Sequence, residues 1–464
     1  MKIDTLTSKI DTHSIPDLSG ELASFVCKTT WDHIPTEVRH EARRSLLNYF
    51  AVSLGACSDP TIQRAVRTFL PFSAGTVARL VGRPERFDIL NASALNAMAA
   101  NVYDFDDTHI PTILHPTAPI APVLSALACW ETMTGKDFLL AFVIGIEVEC
   151  RIANAISPGH YARGWHITST CGVFGSAAAA ARPLKLDVTQ VRWAFGSAAA
   201  QSSGLVEMLG TSAKSISVGN AARNGLLSAL LAKEGFEGPD APLEGPRGFL
   251  NVLGEKPNMS ALKGGEAPTW ELLRNTYKPY PCGVVLNPVI DACLMLADCE
   301  ELQARSLDQI RSIEITGHPL LRQRTDRPNV TSGRQSQVSA QHAVGVVMKR
   351  RRAGLAEFSD AAVADPAVLA LGAKVRFVDL EEMSIDAANV MVEFTDGSKV
   401  AKYVETARGS LARPMSDSEI ENKLRELCHY GKSGIDASPL IDAIWSFEQC
   451  EDVSKILKLA SPKE

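Results

Sequence analysis

The pattern of apolar and polar positions changes character once along the chain, near residue 268. Before that point apolar residues recur at helical spacing in one segment after another. Residues 18–30 read as a first helix. Pro35 to Ala56 reads as a longer one, with Val38, Ala42, Leu46, Leu47 and Phe50 in helical register and a proline suited to its start. Asp59-Pro60 breaks the run and Thr61 to Leu70 resumes it, while residues 76–87, punctuated by Gly82 and Pro84, read as a short strand or loop. Leu90 to Ala100 and Pro119 to Thr132 are small, apolar and helical. Asp137 to Ile156 is a long buried helix carrying Glu147, Glu149 and Arg151, charges expected to pair with one another there. Two phrases, Phe174-Gly-Ser-Ala-Ala-Ala and Phe195-Gly-Ser-Ala-Ala-Ala, predict helices whose small faces approach closely, with a break at Pro183 and a cap at Asp187 or Thr189. A further helix is expected from Val218 or Gly219. That would leave Lys214 just ahead of an N-terminus, where anions are favoured.

Beyond residue 268 strand patterns alternate with helices. Ser312–Thr316, Val375–Val378, Val390–Phe394 and Lys399–Val404 read as strands, the last two joined by an Asp396-Gly397 hairpin. Val285–Cys299 and Gln337–Arg352 read as helices, and Lys349 to Arg352 suits a helix C-terminus. From Pro414 the pattern returns to helix, capped by Ser416 or Asp417. The expected fold is mainly α with an α+β second domain. A large helical domain takes residues 1–267 plus 413–464, so that the chain end packs back on the first half, and the α+β domain takes residues 268–412.

Composition narrows the function. With 45% hydrophobic residues among 464, a large core can be buried, and the few aromatics among much Ala and Gly point to closely packed helices. A net charge of −6 gives no footprint for nucleic acid. Ten cysteines are scattered without metal-binding spacing, as expected of reduced thiols in a cytosol-like compartment. The polar N-terminus lacks a secretory apolar run, and no stretch of about 18 apolar residues predicts a membrane span.

The candidate chemistry centres on residues 101–119, NVYDFDDTHIPTILHPTAP. Asp104, Asp106, Asp107, His109 and His115 stand there between two buried helices. Charge in such a place is costly, and carboxylates and imidazoles held there acquire the shifted pKa values that acid–base chemistry uses. The plainer reading is a capping loop, with Asp106 or Asp107 ending one helix and Thr117 starting the next. Gly164-Trp165-His166, the Lys214 segment, Tyr277-Lys278-Pro279-Tyr280-Pro281-Cys282-Gly283 and the run Gln337 to His342 are further candidates. In the third of these, two prolines stiffen the backbone around Lys278 at a domain junction.

In this order the phrases DFDDTHIPTILHP, GWH, the lysine followed by GNAARNG, and YKPYPCG resemble the MmgE/PrpD family. That family includes 2-methylcitrate dehydratase, cis-aconitate decarboxylase and iminodisuccinate epimerase. The resemblance runs from about residue 20 to about residue 450. It implies a helical domain with a smaller α+β lid, a homodimer, an active site between the domains, and no metal or organic cofactor. Carried over by motif, it implies Asp104, His115, His166, Lys214 and Lys278 as catalytic residues. Lys214, Lys278, Tyr280, Cys282 and Asn287 would line the substrate site. The chain departs from the family pattern at Gln341-His342, where a tyrosine is common, at Asn287, where a histidine is common, and by one extra residue between Asp107 and His115. His342 is a candidate second acid/base group.

The substrates this resemblance implies are small polycarboxylates in which a C–H or C–CO₂⁻ bond breaks beside a carboxylate, leaving enolate-like charge for Lys214 and Lys278 to stabilise. His115 or His166 would move the proton, and Asp104 would orient a histidine or act as base. The resemblance implies a lyase, by dehydration or decarboxylation, with epimerisation of an iminodisuccinate-like acid as the alternative from the same anionic intermediate. A metal-dependent hydrolase using Asp104, Asp106, His109 and His115 as ligands and a non-catalytic scaffold also remain open. Arginines in residues 317–336 would either bind a further carboxylate or face water.

Overall fold

The computed structural model describes residues 16–263 and 269–462. The change of texture expected at 268 and the polar stretch up to residue 15 lie outside the described residues. In the first half the longer helices are α1 (Leu18–Lys28), α2 (Thr36–Ala56), α3 (Pro60–Phe69), α4 (Ile89–Asn101), α5 (Thr117–Trp130), α6 (Gly135–Ile156), α7 (Ile167–Ala181), α8 (Val188–Gln201) and α9 (Ser212–Lys233). Their starts follow local chemistry. Asp59, Asp88, Thr134 and Asp187 each accept a backbone N–H at the head of a helix, satisfying donors that have no partner within the helix. The α9 helix begins six residues before the Val218 expected from the sequence, because Thr211 caps it through the Ala213 N–H. Lys214 therefore lies inside the first turn instead of ahead of an N-terminus.

The two alanine-rich phrases fall on α7 and α8, and both pack against α9. The closest approach joins α7 to α9 at Gly225: a Cβ there would stand 2.4 Å from Ser176 Cβ and 2.5 Å from the Val173 carbonyl oxygen. Small residues at this crossing let the two backbones nearly touch.

Two strands tie the halves of the chain together. β3 (Asp107–His109) pairs antiparallel with β4 (Asn275–Tyr277), placing Asp107 opposite Tyr277 and Thr108 opposite Thr276. A separate hairpin joins β1 (Ala78–Arg79) to β2 (Arg86–Phe87). Further on, β5 (Ile310–Gly317), β6 (Val375–Asp379), β7 (Ala388–Phe394) and β8 (Lys399–Val404) form a sheet in the order β6-β5-β7-β8, with only the β5–β6 pair parallel. On it lies α10 (Asn287–Ala297), packed in turn against α11 (Ala340–Arg350). The Arg350 guanidinium at the end of α11 pairs with Asp365.

The cores follow this division. Apart from Leu355, one large apolar core draws its members from Leu18 to Tyr277 and again from Met415 to Ala460, and a second runs from Tyr280 to Val404. The return to the first core is made by α12 (Asp417–Gly431), opened by a Ser416–Glu419 capping box and packed along α2, and by α13 (Ala437–Trp445). Among the described residues no helix is long and apolar enough to cross a membrane.

Candidate active site

The site is assembled around one carboxylate. Asp104 lies just beyond α4 with a left-handed backbone, φ 52°, a conformation that aspartate tolerates better than most residues. Its Oδ1 accepts from Lys214 Nζ at 2.6 Å and its Oδ2 from Lys278 Nζ at 2.8 Å; Lys278 also donates to the Asp104 carbonyl at 2.9 Å. The two ammonium groups come from α9 and from the residue that follows β4, so the β3–β4 ladder is what carries Lys278 to Asp104. Both lysines are buried, whereas the Asp104 side chain keeps 32% of its surface exposed. The cluster is open on the Asp104 side. Burial alone would raise the Asp104 pKa, but Lys214, Lys278 and His115 outweigh it and hold the carboxyl well below its usual range. In return Asp104 and Asp106 overcome the burial of Lys278 and raise its pKa.

Two imidazoles stand beside this pair in the same tautomer. His115 Nδ1 donates to the Asp107 carbonyl at 2.7 Å, leaving Nε2 without its proton, 3.5 Å from Asp104 Oδ1. For His166 the assignment follows from a chain of hydroxyls. Ser217 donates to the Lys214 carbonyl and Ser169 donates to Ser217, so His166 Nδ1 must supply the proton shared with Ser169 Oγ. Its Nε2 is the free acceptor. Burial lowers both histidines, and neighbouring Lys214 and His115 help bring His166 to about 3. Both rings are neutral near pH 7, each with a bare Nε2, and burial works against their protonation, most strongly at His166.

Behind the site lies an acidic pair. Asp107 accepts from Thr117 and from Asn275 Nδ2, yet burial, with the nearby Asp106 charge, brings its pKa up to about 7. Asp106 accepts from Asn101 and faces His115 Nδ1 at 3.5 Å. On α6, Glu147 pairs with Arg151 at 3.2 Å as expected, but Glu149 does not join them. Neither Glu149 oxygen has a hydrogen-bond partner among the described residues, and burial and Asp107 raise its pKa well above the carboxylate range. It is sealed in the helix core, where burial disfavours its charged form.

The remaining sequence candidates divide. Cys282 and Asn287 are buried in contact with each other, Sγ to Oδ1 3.8 Å, and burial lifts the thiol to about 12 while Lys278 works against that rise. Tyr280 donates to Asp291 at 2.6 Å and belongs to the smaller core. His342 is not brought to the cluster: its Nε2 donates to the Glu357 carbonyl at 2.8 Å and its ring packs on Phe358. The helical period of α11 turns that ring into the smaller core. His109 likewise turns away, held by Thr112 and Glu271. Metal-ligating atoms within 4.8 Å of one another are thus offered by Asp104, Asp106 and His115 without His109. Both Asp104 oxygens already accept from ammonium groups, whose charge opposes a divalent cation, so this donor set fits a metal poorly.

Arg334 and Gln337 belong to runs picked out in the sequence, whereas Lys423 was not singled out. Arg334 donates to the Val102 carbonyl at 2.8 Å and pairs with Asp59, and Gln337 donates to the Tyr103 carbonyl at 2.6 Å. The Gln337 carbonyl also accepts from the Gly283 N–H. These two side chains grip the backbone immediately before Asp104, beside a cavity of about 450 Å³ that Tyr103, Ser212 and Tyr430 help to line. Of the other arginines in 317–336, Arg322 pairs with Asp379, while Arg324 and Arg327 make no ion pair among the described residues. Lys423 is buried beneath the site. Its signal was available, since it shares one helical stripe with Ile420, Leu424 and Leu427, where a charge is out of place.

The chain is similar to known proteins over almost its whole length. The MmgE/PrpD N-terminal domain model matches residues 20–262 and the MmgE/PrpD C-terminal domain model matches residues 280–445. Cis-aconitate decarboxylase of Aspergillus terreus is 26% identical over 477 residues, covering 97% of each chain. Cis-aconitate decarboxylase of Homo sapiens is 26% identical over 451 residues, covering 93% of this chain and 92% of its own. Matched by the family in both halves, the chain belongs to the MmgE/PrpD family.

Proposed function

We propose that the protein is a lyase acting on a small di- or tricarboxylate of the cis-aconitate type, without a metal or organic cofactor. The observation that carries the reading is the convergence of Lys214 and Lys278, from separate elements, on partly open Asp104 beside two neutral imidazoles. The relatives named above supply the chemical class. In this reading the two ammonium groups bind substrate carboxylates and face the charge that develops when the neighbouring bond breaks. In decarboxylation the C–C bond to one carboxylate breaks, CO₂ leaves, and the electron pair spreads onto the remaining unsaturated acid as an enolate. A proton taken up from solvent at the His115 or His166 Nε2, both unprotonated at rest, is then passed to the carbanion and quenches it. In dehydration an imidazole Nε2 takes the C–H proton and hands it to the β-hydroxyl, which leaves as water as the double bond forms. The α+β unit, residues 268–412, acts as a lid over the larger helical domain, and Cys282 and Asn287 line the wall next to Lys278.

Purified protein incubated with cis-aconitate and with 2-methylcitrate tests the proposal by mass spectrometry. Loss of CO₂ identifies a decarboxylase and loss of water a dehydratase. Deuterium uptake from D₂O with no loss of mass identifies an epimerase and overturns the lyase reading, and no change in any acid overturns the activity.

A further inference from the structure

The Lys423 ammonium, on α12, is only 5% exposed. It donates to Asn48 Oδ1 at 2.8 Å, to the Phe105 carbonyl at 2.7 Å and to the Lys278 carbonyl at 2.9 Å, with the Phe105 ring centroid 3.7 Å away. Burial pulls the Lys423 pKa well below its usual value, with Asp106 and Asp107 working against that fall, yet three acceptors call for three N–H donors, which only the protonated form has, and all three are used. None is left for a ligand, so this side chain does not bind substrate.

Its acceptors belong to three separate segments: α2, the acidic loop and the loop that starts at Lys278. Packing alone does not require such a residue, since a methionine of similar length would fill the space without burying a charge. What a lysine adds is a rigid three-way tie between polar atoms. Two of those atoms lie next to the reacting groups. Phe105 follows Asp104 directly, and the Lys278 carbonyl is on the residue whose ammonium meets Asp104. The Asp104–Lys278 pair is thus held twice, from above by its own ion pair and from below through the backbone.

We propose that Lys423 is a positioning residue, whose ammonium ties the Phe105 backbone to the Lys278 backbone and so fixes the spacing of Asp104 and Lys278. This rests on the reading of the Asp104 cluster as the reacting site. Through this tie, the far end of the chain sets the geometry of a site built from its first two-thirds.

The test uses full-length protein with Lys423→Met and Lys423→Arg, each alone and combined with Lys278→Met. Turnover of cis-aconitate and hydrogen exchange of peptides covering 102–109 and 276–283 are both followed. Lys423→Met is expected to lower kcat about 100-fold, because misplacing groups by about an ångström has that effect, with KM changed less than about threefold. In the Lys278→Met background the same substitution is expected to change kcat less than about threefold, since coupled residues are non-additive. Both loops should exchange faster while α1 and α8 do not change. Equal effects of Lys423→Met in the two backgrounds, or unchanged exchange in both loops, would overturn the proposal. Should Lys423→Met not fold, Lys423→Arg decides: it keeps charge and donors and should fold and retain at least roughly a tenth of the turnover. An arginine variant that folds with both loops unchanged in exchange yet has lost turnover overturns the tie. Wild-type protein inert on every acid removes the proposed function instead, and the exchange measurements alone then judge Lys423.

Discussion

Asp104 combines a left-handed backbone with two charge-assisted hydrogen bonds, and these can be separated experimentally. Asparagine also accepts positive φ, so Asp104→Asn removes the charge while leaving the turn in place. It is expected to lower kcat/KM about 10²- to 10³-fold, the range for losing one preorganised electrostatic partner, and to lower the thermal midpoint too, because two buried ammonium groups lose their counter-charge. Steady-state kinetics and a melting curve check both halves of that statement. Asp107 gives a test by pH. Its folded pKa of about 7 lies above the unfolded value, so its contribution to stability is fully present in acid and is lost as pH rises through 7. Asp107→Asn can still accept from Thr117 and Asn275 and does not ionise. Its melting temperature relative to wild type should therefore be more favourable at pH 8 than at pH 5. At this scale the sequence showed which residue types were unusual and where they clustered, and Asp104, His115, Lys214 and Lys278 were legible on that ground. It could not show direction. His342 and His109 are polar residues in plausible places whose rings turn away, and Glu149 looked like a partner for Arg151 until α6 placed it on another face.

Among the elements, the long helices were legible because burying one face imposes a period on the sequence. The β3–β4 pair was not. Its strands are three residues each, DTH and NTY, too short and too polar to show alternation. Yet this ladder brings Lys278 to the acidic loop, so the element that matters most to the site left the faintest trace. The start of α9 was misread for a related reason, since a cap at Thr211 carries more weight than the Val218-Gly219 step seven residues later. The crossing of α7 and α9 supplies the prediction at this scale. Gly225→Ala must push the helices apart at Ser176 and Val173, and a loss of roughly 1–3 kcal/mol is expected in denaturant unfolding, the usual range for overpacking. Lys214 rides on α9, so turnover should fall beyond what the lost stability explains.

For the whole molecule, the return of the chain end to the first core was legible as a second helical stretch after the strands, although the contact that makes it matter to the site, Lys423, was not. A chain stopped at Met415 keeps every residue that touches Asp104 but leaves bare the face of α2 that α12 covers. Such a truncation is expected to be insoluble, as fractionation after expression would show, whereas soluble protein with full turnover would contradict it. The distance involved has a consequence for how the protein is made. Asn48 and Lys423 are 375 residues apart in sequence. At roughly 5–20 residues per second of synthesis, α2 waits tens of seconds on the ribosome for its partner helix, with an apolar face exposed throughout. Until α12 emerges that face has no partner, and the tie between the Phe105 and Lys278 backbones cannot form.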